Sequence, residues 1–415
     1  MVMTVSGTQG KPLLLVGWHG KAMEIFRNRG QSIVCAIDPH DRAEADHLGL
    51  LDSCVTVVDT SSPEAVLAGL YQRQMSLRDF AGVWSALEMG LVAASMLAAL
   101  SGRTGMPLAT AVALRDKYTQ KAAVRAVGIP VTGCQVVDDL IHVASICDGR
   151  RLVVKPLSGA AARDTFLVED GDTVVALAEA LPAEKHGPWL VEEYVDGPEM
   201  HFDGVVREGQ LTLLSVSQYL QNVITIRDGG LVGSVTLDPD ADRAIYEQAA
   251  DLTSRALAAL GHTDGVFHLE AFRTTEGLVF SECAGRIGGG LVRDAVLRKF
   301  GINLVEAWID VIDGTESAPA RVAASSYGWI HLPAPSGRLL SVPDEAELLR
   351  LPGCTLARID VGVGYNMPVM SLGSDVRAAR VLVSGESRTE VEWRMLKIAE
   401  WFSSQVRIAP PETRD

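Results

Sequence analysis

The order of apolar and polar residues predicts that the chain begins with strands and helices in alternation. Four short apolar runs have the length and composition of buried strands: 13–18, 32–37, 55–58 and 82–86. Amphipathic segments between and after them predict helices at 21–29, 64–78 and 90–101. Because buried strands that alternate with helices form parallel sheets, this pattern favours a doubly wound α/β domain. We place that Rossmann-like domain at residues 1–110.

The pattern changes after residue 110, where the predicted strands follow one another more closely. A helix at 111–127 ends at Gly128-Ile-Pro130, a sequence that stops helices. Further elements are predicted as strands at 152–155, 189–195, 200–206 and 211–217, and as a helix at 240–260. The remainder predicts a mixed lobe with strands at 326–332 and 379–384 and helices at 343–350 and 388–404.

Composition limits the class of protein and its partners. With 415 residues, of which 47% are hydrophobic and 21% charged, the chain has the make-up of a globular protein with two or three domains. A formal net charge of −15 disfavours general binding to nucleic acid or to a membrane surface. No apolar run approaches the ~20 residues of a membrane span. Six cysteines show no Cys-x-x-Cys spacing, so we expect reduced thiols and a cytoplasmic protein.

Two glutamates lie in a predicted β-hairpin whose strands cover residues 266–272 and 278–286. If the hairpin is symmetric about Glu276, Glu270 lies directly opposite Glu282. The period-2 alternation of a strand then places five side chains on one face: His268, Glu270, Glu282, Ala284 and Arg286. The other face suits a core and carries Leu269, Ala271, Val279 and Cys283.

The opposed glutamates predict a metal site. Carboxylates on directly opposed residues repel each other, because their Cβ atoms are only ~5 Å apart. A hard cation between them removes that penalty, and Mg²⁺ is usually held by carboxylates together with phosphate oxygens. We therefore predict a metal–phosphate site on this face of the hairpin. The alternative is a solvated face with scattered charges, and a one-residue slip in register would separate Glu270 from Glu282.

Two lysines are candidates for binding phosphate. Lys155 ends a buried strand immediately before Pro156, where a lysine is uncommon unless it reaches an anion. The small residues that follow, at 157–165, are able to bring backbone N–H groups close to a phosphate. The alternative is a surface lysine before a flexible turn. Lys117 lies at a helix start, where a solvated helix face is the simpler explanation.

Acidic residues, an arginine and a glycine run complete the candidates. The segment 192–199 carries acids able to accept hydrogen bonds from ribose hydroxyls, with a charged turn as the alternative. Arg286 follows Glu282 by four residues, and its planar guanidinium suits a transferring phosphoryl group. The glycines at 288–290 open a predicted helix and offer free N–H groups to an anion. Arg293 is a candidate for holding a substrate carboxylate, or else an exposed helix arginine.

The order of these features resembles the ATP-grasp superfamily over residues 91–312. Within it, the chain is most similar to the carboxylate–amine ligases, in particular bacterial L-amino acid ligases that make dipeptides. The N-terminal domain also looks like the one that usually precedes an ATP-grasp domain. The resemblance implies an ATP-grasp domain at 111–314, with a mobile small subdomain at about 125–198, and a C-terminal α+β domain at 315–415.

The resemblance also implies roles for individual residues. Positions that match the ATP contacts are Lys117, Lys155, Ser158, Gly159, Glu192, Glu193, Val195 and Glu199. Glu270 and Glu282 match the magnesium ligands, with Mn²⁺ as the alternative ion, and Arg286 matches the arginine that steadies the transferring phosphate. His268 is a further catalytic candidate, as a base or a contact of the acyl phosphate, unless it is a satisfied strand histidine. Candidate substrate contacts are Arg293, Gly288 and Gly289.

The implied reaction joins a carboxylate, that of an amino acid, to an amine through an acyl phosphate, with release of ADP and phosphate. ATP and Mg²⁺ are the implied cofactors, small molecules the partners, and a homodimer the implied assembly. The chain departs from the family at Ala284, where asparagine is common, and in an alanine-rich flap at 158–165. The alternatives are an ATP-grasp carboxylase or purine-pathway ligase, and a nucleotide-binding scaffold that has lost turnover.

Overall fold

The N-terminal part of the chain forms the parallel sheet that the alternating pattern predicts. The structure is a computed structural model that describes residues 10–181 and 187–409. Its first sheet has the order β3-β2-β1-β4 and consists of β1 (Leu13–Val16), β2 (Ile33–Ile37), β3 (Cys54–Thr56) and β4 (Val83–Trp84). The accompanying helices are α1 (Gly20–Asn28), α2 (Arg42–His47), α3 (Pro63–Gln72) and α4 (Leu91–Ser101). Leu14 packs in one apolar cluster and Leu15 in another, so both faces of the sheet are covered.

The single helix predicted at 111–127 is wrong. Two helices occupy this stretch, α5 (Leu108–Ala113) and α6 (Lys117–Ala126). The break follows from Asp116, whose side chain accepts a hydrogen bond from the backbone N–H of Thr119 at 2.6 Å. A carboxylate in this position caps a new helix rather than continuing an old one. The cap places Lys117 in the first turn of α6.

A small antiparallel sheet follows, in the order β5-β8-β6-β7. Its strands are β5 (Cys134–Val137), β6 (Leu152–Pro156), β7 (Phe166–Val168) and β8 (Trp189–Glu193), with helices α7 (Ile141–Cys147) and α8 (Gly171–Ala180) against it. The sequence pattern predicts β6 and β8 but not β5 or β7. Those two strands have only four and three residues, so neither forms an apolar run long enough to predict a strand.

The largest sheet has eight antiparallel strands in the order β13-β12-β9-β10-β11-β14-β18-β16. Its first five strands in chain order are β9 (Glu199–Arg207), β10 (Gln210–Tyr219), β11 (Gly233–Thr236), β12 (Gly265–Thr274) and β13 (Gly277–Ala284). Its three later strands are β14 (Ser326–Leu332), β16 (Cys354–Ile359) and β18 (Ala379–Gly385). The C-terminal part also contains β15 (Gly337–Ser341), β17 (Asn366–Met367) and β19 (Arg407–Ile408). Strands β17, β15 and β19 form a separate small sheet.

Five further helices surround the large sheet: α9 (Arg243–Ala259), α10 (Val292–Phe300), α11 (Leu304–Asp313), α12 (Glu345–Leu349) and α13 (Arg388–Gln405). The predicted α/β class, with a parallel N-terminal sheet and an α+β remainder, is confirmed. The large sheet runs without interruption past residue 314, and the domain limits at 110 and 314 stay predictions. Within the described residues, no helix combines the length and apolar character that a membrane crossing requires.

The β12–β13 hairpin places Glu270 opposite Glu282, as predicted, but for a different reason. The turn is centred between Thr275 and Glu276, because Thr274 pairs with Gly277. With a regular ladder this turn would put Glu270 opposite Ser281. A one-residue irregularity beside Glu270 leaves Ser281 unpaired and restores the predicted opposition.

The same irregularity corrects one predicted core residue. Side-chain alternation in β13 shifts by one position across Ser281, so Leu278 and Phe280 lie in the core with Cys283. Val279, predicted for the core, is only partly buried. Bulges of this kind change the direction of the side chains that follow, and here the bulge places Glu282 on the same face as Glu270.

Candidate active site

One large cavity of about 430 Å³ lies between the small sheet, the β12–β13 hairpin and the C-terminal strands. Most of the residues predicted from the sequence line it: Lys117, Lys155, Gly159, Glu192, Glu193, Val195, Glu199, His268, Glu270, Glu282, Arg286 and Gly289. They come from elements that are far apart in the chain, so the fold assembles them in one place. Three predicted residues are not among those lining the cavity: Ser158, Gly288 and Arg293.

A buried ion-pair network supports the base of the cavity. Glu192 is buried and receives Nζ of Lys121 and Nζ of Lys155, both at 2.6 Å, and the hydroxyl of Thr132 at 3.0 Å. Burial alone would raise the pKa of Glu192, but the two lysines lower it to about 2. Both oxygens of this carboxylate are therefore engaged inside the protein. These contacts hold Lys121 and Lys155 in place, and a direct contact of Glu192 with a nucleotide stays a prediction.

The two predicted phosphate lysines converge on Glu282. Lys117 lies with its Nζ 3.1 Å from Oε2 of Glu282 and donates to the carbonyl of Gly159 at 2.8 Å. Lys155 approaches the same oxygen to 3.8 Å. Although burial opposes it, the two lysines hold the pKa of Glu282 well below its ordinary value. Glu282 is therefore a carboxylate anion at neutral pH.

Glu270 lies at the centre of three adjacent strands. It pairs across the ladder with His201 on β9 and with Glu282 on β13. Its Oε1 accepts the hydroxyl of Tyr219 at 3.1 Å and lies 3.3 Å from Nε2 of His268. These contacts fix one oxygen of Glu270 and leave the carboxylate at the cavity wall.

His268 belongs to a buried relay rather than standing free. Its Nδ1 is 2.8 Å from Asp203, whose other oxygen is 2.5 Å from Nδ1 of His201, and His201 continues to Ser234 at 2.8 Å. Despite burial, Asp203 raises the pKa of His268 to about 10, so both ring nitrogens carry protons at neutral pH. Because Nδ1 faces Asp203 and Nε2 faces Glu270, the role of His268 as a base stays a prediction. The alternative of a satisfied strand histidine agrees with these contacts.

Gly288 lies against this relay, which explains why the position has no side chain. A Cβ at Gly288 would lie 2.6 Å from Oδ1 of Asp203 and 2.8 Å from Nδ1 of His268. Both neighbours are buried and bonded, so neither is free to move. The glycine therefore permits the loop after Arg286 to approach the relay.

We expect Gly288→Ala to lower the free energy of unfolding by about 1–3 kcal/mol, because the added methyl group overpacks a buried charged pair. Urea denaturation measures the change. Gly289→Ala is the matched control, since a Cβ at Gly289 would meet nothing within 4 Å. Equal losses in the two variants would contradict the packing argument.

Sequence reasoning missed an acidic residue that anchors Arg286. Glu88 follows β4 and accepts Nε of Arg286 at 2.8 Å and Nη1 of Arg115 at 2.7 Å. Burial opposes ionisation of Glu88, but Arg286 is the main cause of a pKa below its ordinary value. The signal that would have found Glu88 is its place just beyond the carboxyl end of a parallel strand, where α/β sheets bind ligands.

Glu199 lies deep in the cavity wall. Its Oε2 accepts the backbone N–H of Val223 at 2.7 Å. Burial, followed by repulsion from Glu270, raises the pKa of Glu199 to about 8. The site therefore favours the protonated form of Glu199 more than water does.

The predicted flap reaches across the cavity to the C-terminal part of the chain. Ala161 accepts a hydrogen bond from the backbone N–H of Ser374 at 2.9 Å, and Arg163 pairs with Asp375 at 2.5 Å. Ala161 and Ala162 adopt left-handed backbone angles, with φ of 56° and 52°. Ser158 belongs to the same segment but offers its carbonyl to Arg115, away from the cavity lining.

Comparison with known proteins gives the family context. No family model matches the chain. The L-arginine-specific L-amino acid ligase of Bacillus subtilis is 24% identical over 314 residues, covering 72% of this chain and 74% of that protein. An L-amino acid ligase from Bacillus licheniformis has a TM-score of 0.76 at 17% identity, covering 96% of this chain and 99% of that chain. The chain has the ATP-grasp fold. The predicted resemblance to ATP-grasp carboxylate–amine ligases, and with it the enzyme class, is confirmed.

A purine-pathway enzyme shares the ATP-grasp fold. Carboxyaminoimidazole ribonucleotide synthase from Aspergillus clavatus, complexed with ATP, has a TM-score of 0.72 at 18% identity, covering 94% of this chain and 99% of that chain. Two positions of the predicted site depart from what the sequence resemblance implies. Ala284 is buried and brings no ligand atom, and Arg293 pairs with its neighbour Asp294 at 3.3 Å. Arg293 as a substrate contact therefore has no support from its placement.

Proposed function

We propose that the protein is an ATP-dependent ligase that joins the carboxylate of an amino acid to an amine through an acyl phosphate. The carrying observation is the placement of Glu270 opposite Glu282 in one cavity, with two lysines and Arg286 around them. Such a set of charges suits a nucleoside triphosphate and a divalent ion. The similarity to L-amino acid ligases supports the choice of an amino acid as the acyl substrate.

The donor atoms of the hairpin fit Mg²⁺. Glu282 is held ionised, and Glu270 faces the same cavity from the next strand. Two carboxylates with phosphate oxygens and water form a suitable oxygen set for this ion. Bound there, the ion would neutralise phosphate charge as it moves towards the leaving group. Ala284 adds no third protein ligand.

The remaining groups would bind the nucleotide. We assign Lys117 and Lys155 to its phosphates, and Glu199 to its ribose hydroxyls. The backbone of residues 193–195 would meet the adenine, since the carboxylate of Glu192 is already occupied. The backbone of the flap at 158–165 would cover the phosphates.

The proposed chemistry has two steps. An oxygen of the substrate carboxylate attacks the γ-phosphorus, the bond to the β-phosphate oxygen breaks, and ADP leaves. The nitrogen lone pair of the amine then attacks the acyl carbon, the bond to the phosphate oxygen breaks, inorganic phosphate leaves, and the nitrogen loses a proton to solvent. The protein supplies position and charge, because phosphoryl transfer needs little more from it. Arg286 would stabilise the transferring phosphoryl group.

Release of ADP and phosphate across pairs of the twenty L-amino acids tests this function. Release that requires an amino acid, together with a dipeptide found by mass spectrometry, would support the ligase. Release that requires bicarbonate would favour the carboxylase alternative. ATP binding without any release would favour a scaffold that has lost turnover. A homodimer stays a prediction from the resemblance.

We expect Arg163→Ala to raise the KM for ATP several-fold without changing stability by more than about 1 kcal/mol. The pair with Asp375 is exposed, so it contributes little to folding, yet it ties the flap across the cavity. Arg388→Ala removes a comparable exposed pair from α13 and is the control. An unchanged KM for ATP in Arg163→Ala would show that the tie has no part in nucleotide binding.

A further inference from the structure

The C-terminal wall of the cavity has no part in the nucleotide assignments. It is formed by side chains of β14 and of the segment before β18, including Trp329, His331 and Arg377. Trp329 and His331 pack with ring centroids 4.9 Å apart. A cavity wall with aromatic and ionisable side chains is suited to a substrate other than ATP.

His331 lines the cavity and carries a buried hydrogen-bond acceptor. The residue is 3% exposed, and its Nδ1 lies 3.0 Å from the carbonyl of Ser374. A carbonyl only accepts, so Nδ1 carries the ring proton and Nε2 carries a lone pair. That Nε2 is buried and has no hydrogen-bond partner among the described residues. A buried acceptor without a partner is costly, which points to a ligand that donates.

The charge around His331 restricts the kind of donor. Burial, and after it the positive charge of Arg377, lowers the pKa of His331 to about 3, so the ring is neutral at physiological pH. Arg377 and Arg380 share Asp360 as their acidic partner, and Asp375 is paired with the flap. The local field is therefore positive. A charged ammonium group is disfavoured here for the same reason as a charged imidazole, whereas an uncharged amine is not.

The wall adjoins the loop that follows Arg286. Residues 193–195, which are assigned to the adenine, belong to another part of the chain. Trp329 packs directly on Gly290, where a Cβ would lie 2.5 Å from the indole ring. Arg380 also reaches the carbonyl of Gly290 at 3.4 Å. Gly290 follows Arg286 by four residues, whereas residues 193–195 lie at and just beyond the end of β8 in the small sheet. His331 therefore lines the cavity next to the loop that follows Arg286, where the proposed chemistry places the acyl phosphate.

We infer that Nε2 of His331 accepts a hydrogen bond from the attacking amine and that this subsite selects the amine in its uncharged form. This inference rests on the proposed ligase function. The uncharged amine is the nucleophilic form, so binding and reactivity favour the same species. The positive field of Arg377 and Arg380 also favours an anionic group on the same substrate, such as the free carboxylate of an amino acid.

His331→Asn and His331→Gln test the contact. Asparagine keeps a donor near Nδ1 for the carbonyl of Ser374 but removes the acceptor at Nε2. Glutamine places its amide group near Nε2. With the best amino-acid pair from the release screen, we expect His331→Asn to raise the KM for the amine at least about tenfold, with the KM for ATP within about twofold. We expect His331→Gln to recover most of the loss and His47→Asn, on the exposed side of α2, to match the wild type.

The pH dependence of the apparent KM for the amine in the wild type is a second test. If only the uncharged amine binds, its apparent KM at saturating ATP falls about tenfold for each unit by which the pH rises, as long as the pH stays below the pKa of that amine. An amine KM that is constant between pH 6 and 8, or one that is unchanged in His331→Asn, overturns this inference alone. If His331→Asn loses ATP binding together with amine binding, that variant is misfolded. The KM for the amine in His331→Gln then tests the inference. No amino-acid-dependent release from the wild type overturns the ligase proposal and this inference with it.

Discussion

Glu282→Gln is expected to lower kcat/KM by about 100- to 1000-fold, a loss of roughly 3–4 kcal/mol of transition-state stabilisation. An amide oxygen is a weaker ligand for Mg²⁺ than a carboxylate. The substitution also removes the shared partner of Lys117 and Lys155, whose ammonium groups lie 3.1 Å and 3.8 Å from the same oxygen. Both effects weaken the neutralisation of the triphosphate charge, so we expect a larger change in the rate of the chemical step than in the free energy of unfolding.

Steady-state assays over a range of Mg²⁺ concentrations measure this effect. We expect the concentration of Mg²⁺ for half-maximal rate to rise, which a purely structural defect would not produce. Glu276→Gln is the matched control, because that glutamate lies exposed in the turn of the same hairpin. Turnover close to that of the wild type at equal Mg²⁺ would remove Glu282 from the metal site.

The fold was predictable where the apolar pattern is long and regular. The four predicted strands and three predicted helices before residue 102 all appear, although the helix predicted at 64–78 ends at Gln72. The short helix α2 was not predicted. The helix break at Asp116 was not predicted, because helix propensity continues through it and only the capping hydrogen bond reveals the boundary. The short strands β5 and β7 were missed because they bury few apolar residues.

The glutamate pair shows both the power and the limit of alternation. Period-2 reasoning placed Glu270 and Glu282 on one face, and the structure agrees. In the structure, however, the turn is centred half a residue before Glu276, and a bulge at Ser281 compensates for the difference. The sequence pattern does not predict this bulge. Val279 was assigned to the core for the same reason. The bulge also has a partner outside the hairpin, since Lys121 on α6 donates to the carbonyl of Ser281.

The partners of the site residues were the hardest to predict. Lys121, Asp203 and Glu88 each hold a predicted residue in place, but each pairing joins segments that are at least 65 residues apart in the chain. A sequence indicates that a charge is available without indicating which opposite charge it meets. A buried charge without a partner is too costly to persist, so each buried charge must meet an opposite charge once the chain has folded.

Arg286→Ala is expected to lower kcat by at least about 100-fold, or roughly 3 kcal/mol, while leaving ATP affinity within a few-fold. Arg286 is fixed before substrate arrives. Its Nε and Nη2 reach one oxygen of Glu88 at 2.8 Å and 2.6 Å, and its Nη1 donates to the carbonyl of Ile287. A charge that is held in place costs no reorganisation when the phosphoryl group transfers, so its loss falls on the chemical step.

Comparison of kcat with the KM for ATP separates this role from simple nucleotide binding. Arg286→Lys should recover only part of the rate, because an ammonium group lacks the planar donors that hold both Glu88 and phosphate. Arg298→Ala, on the exposed face of α10, is the control for removal of a positive charge from the same region. Because Glu88 keeps Arg115 as a second partner, the variant should remain folded. A folded Arg286→Ala protein with wild-type kcat would leave the transferring phosphoryl group without the cation that the proposed chemistry needs.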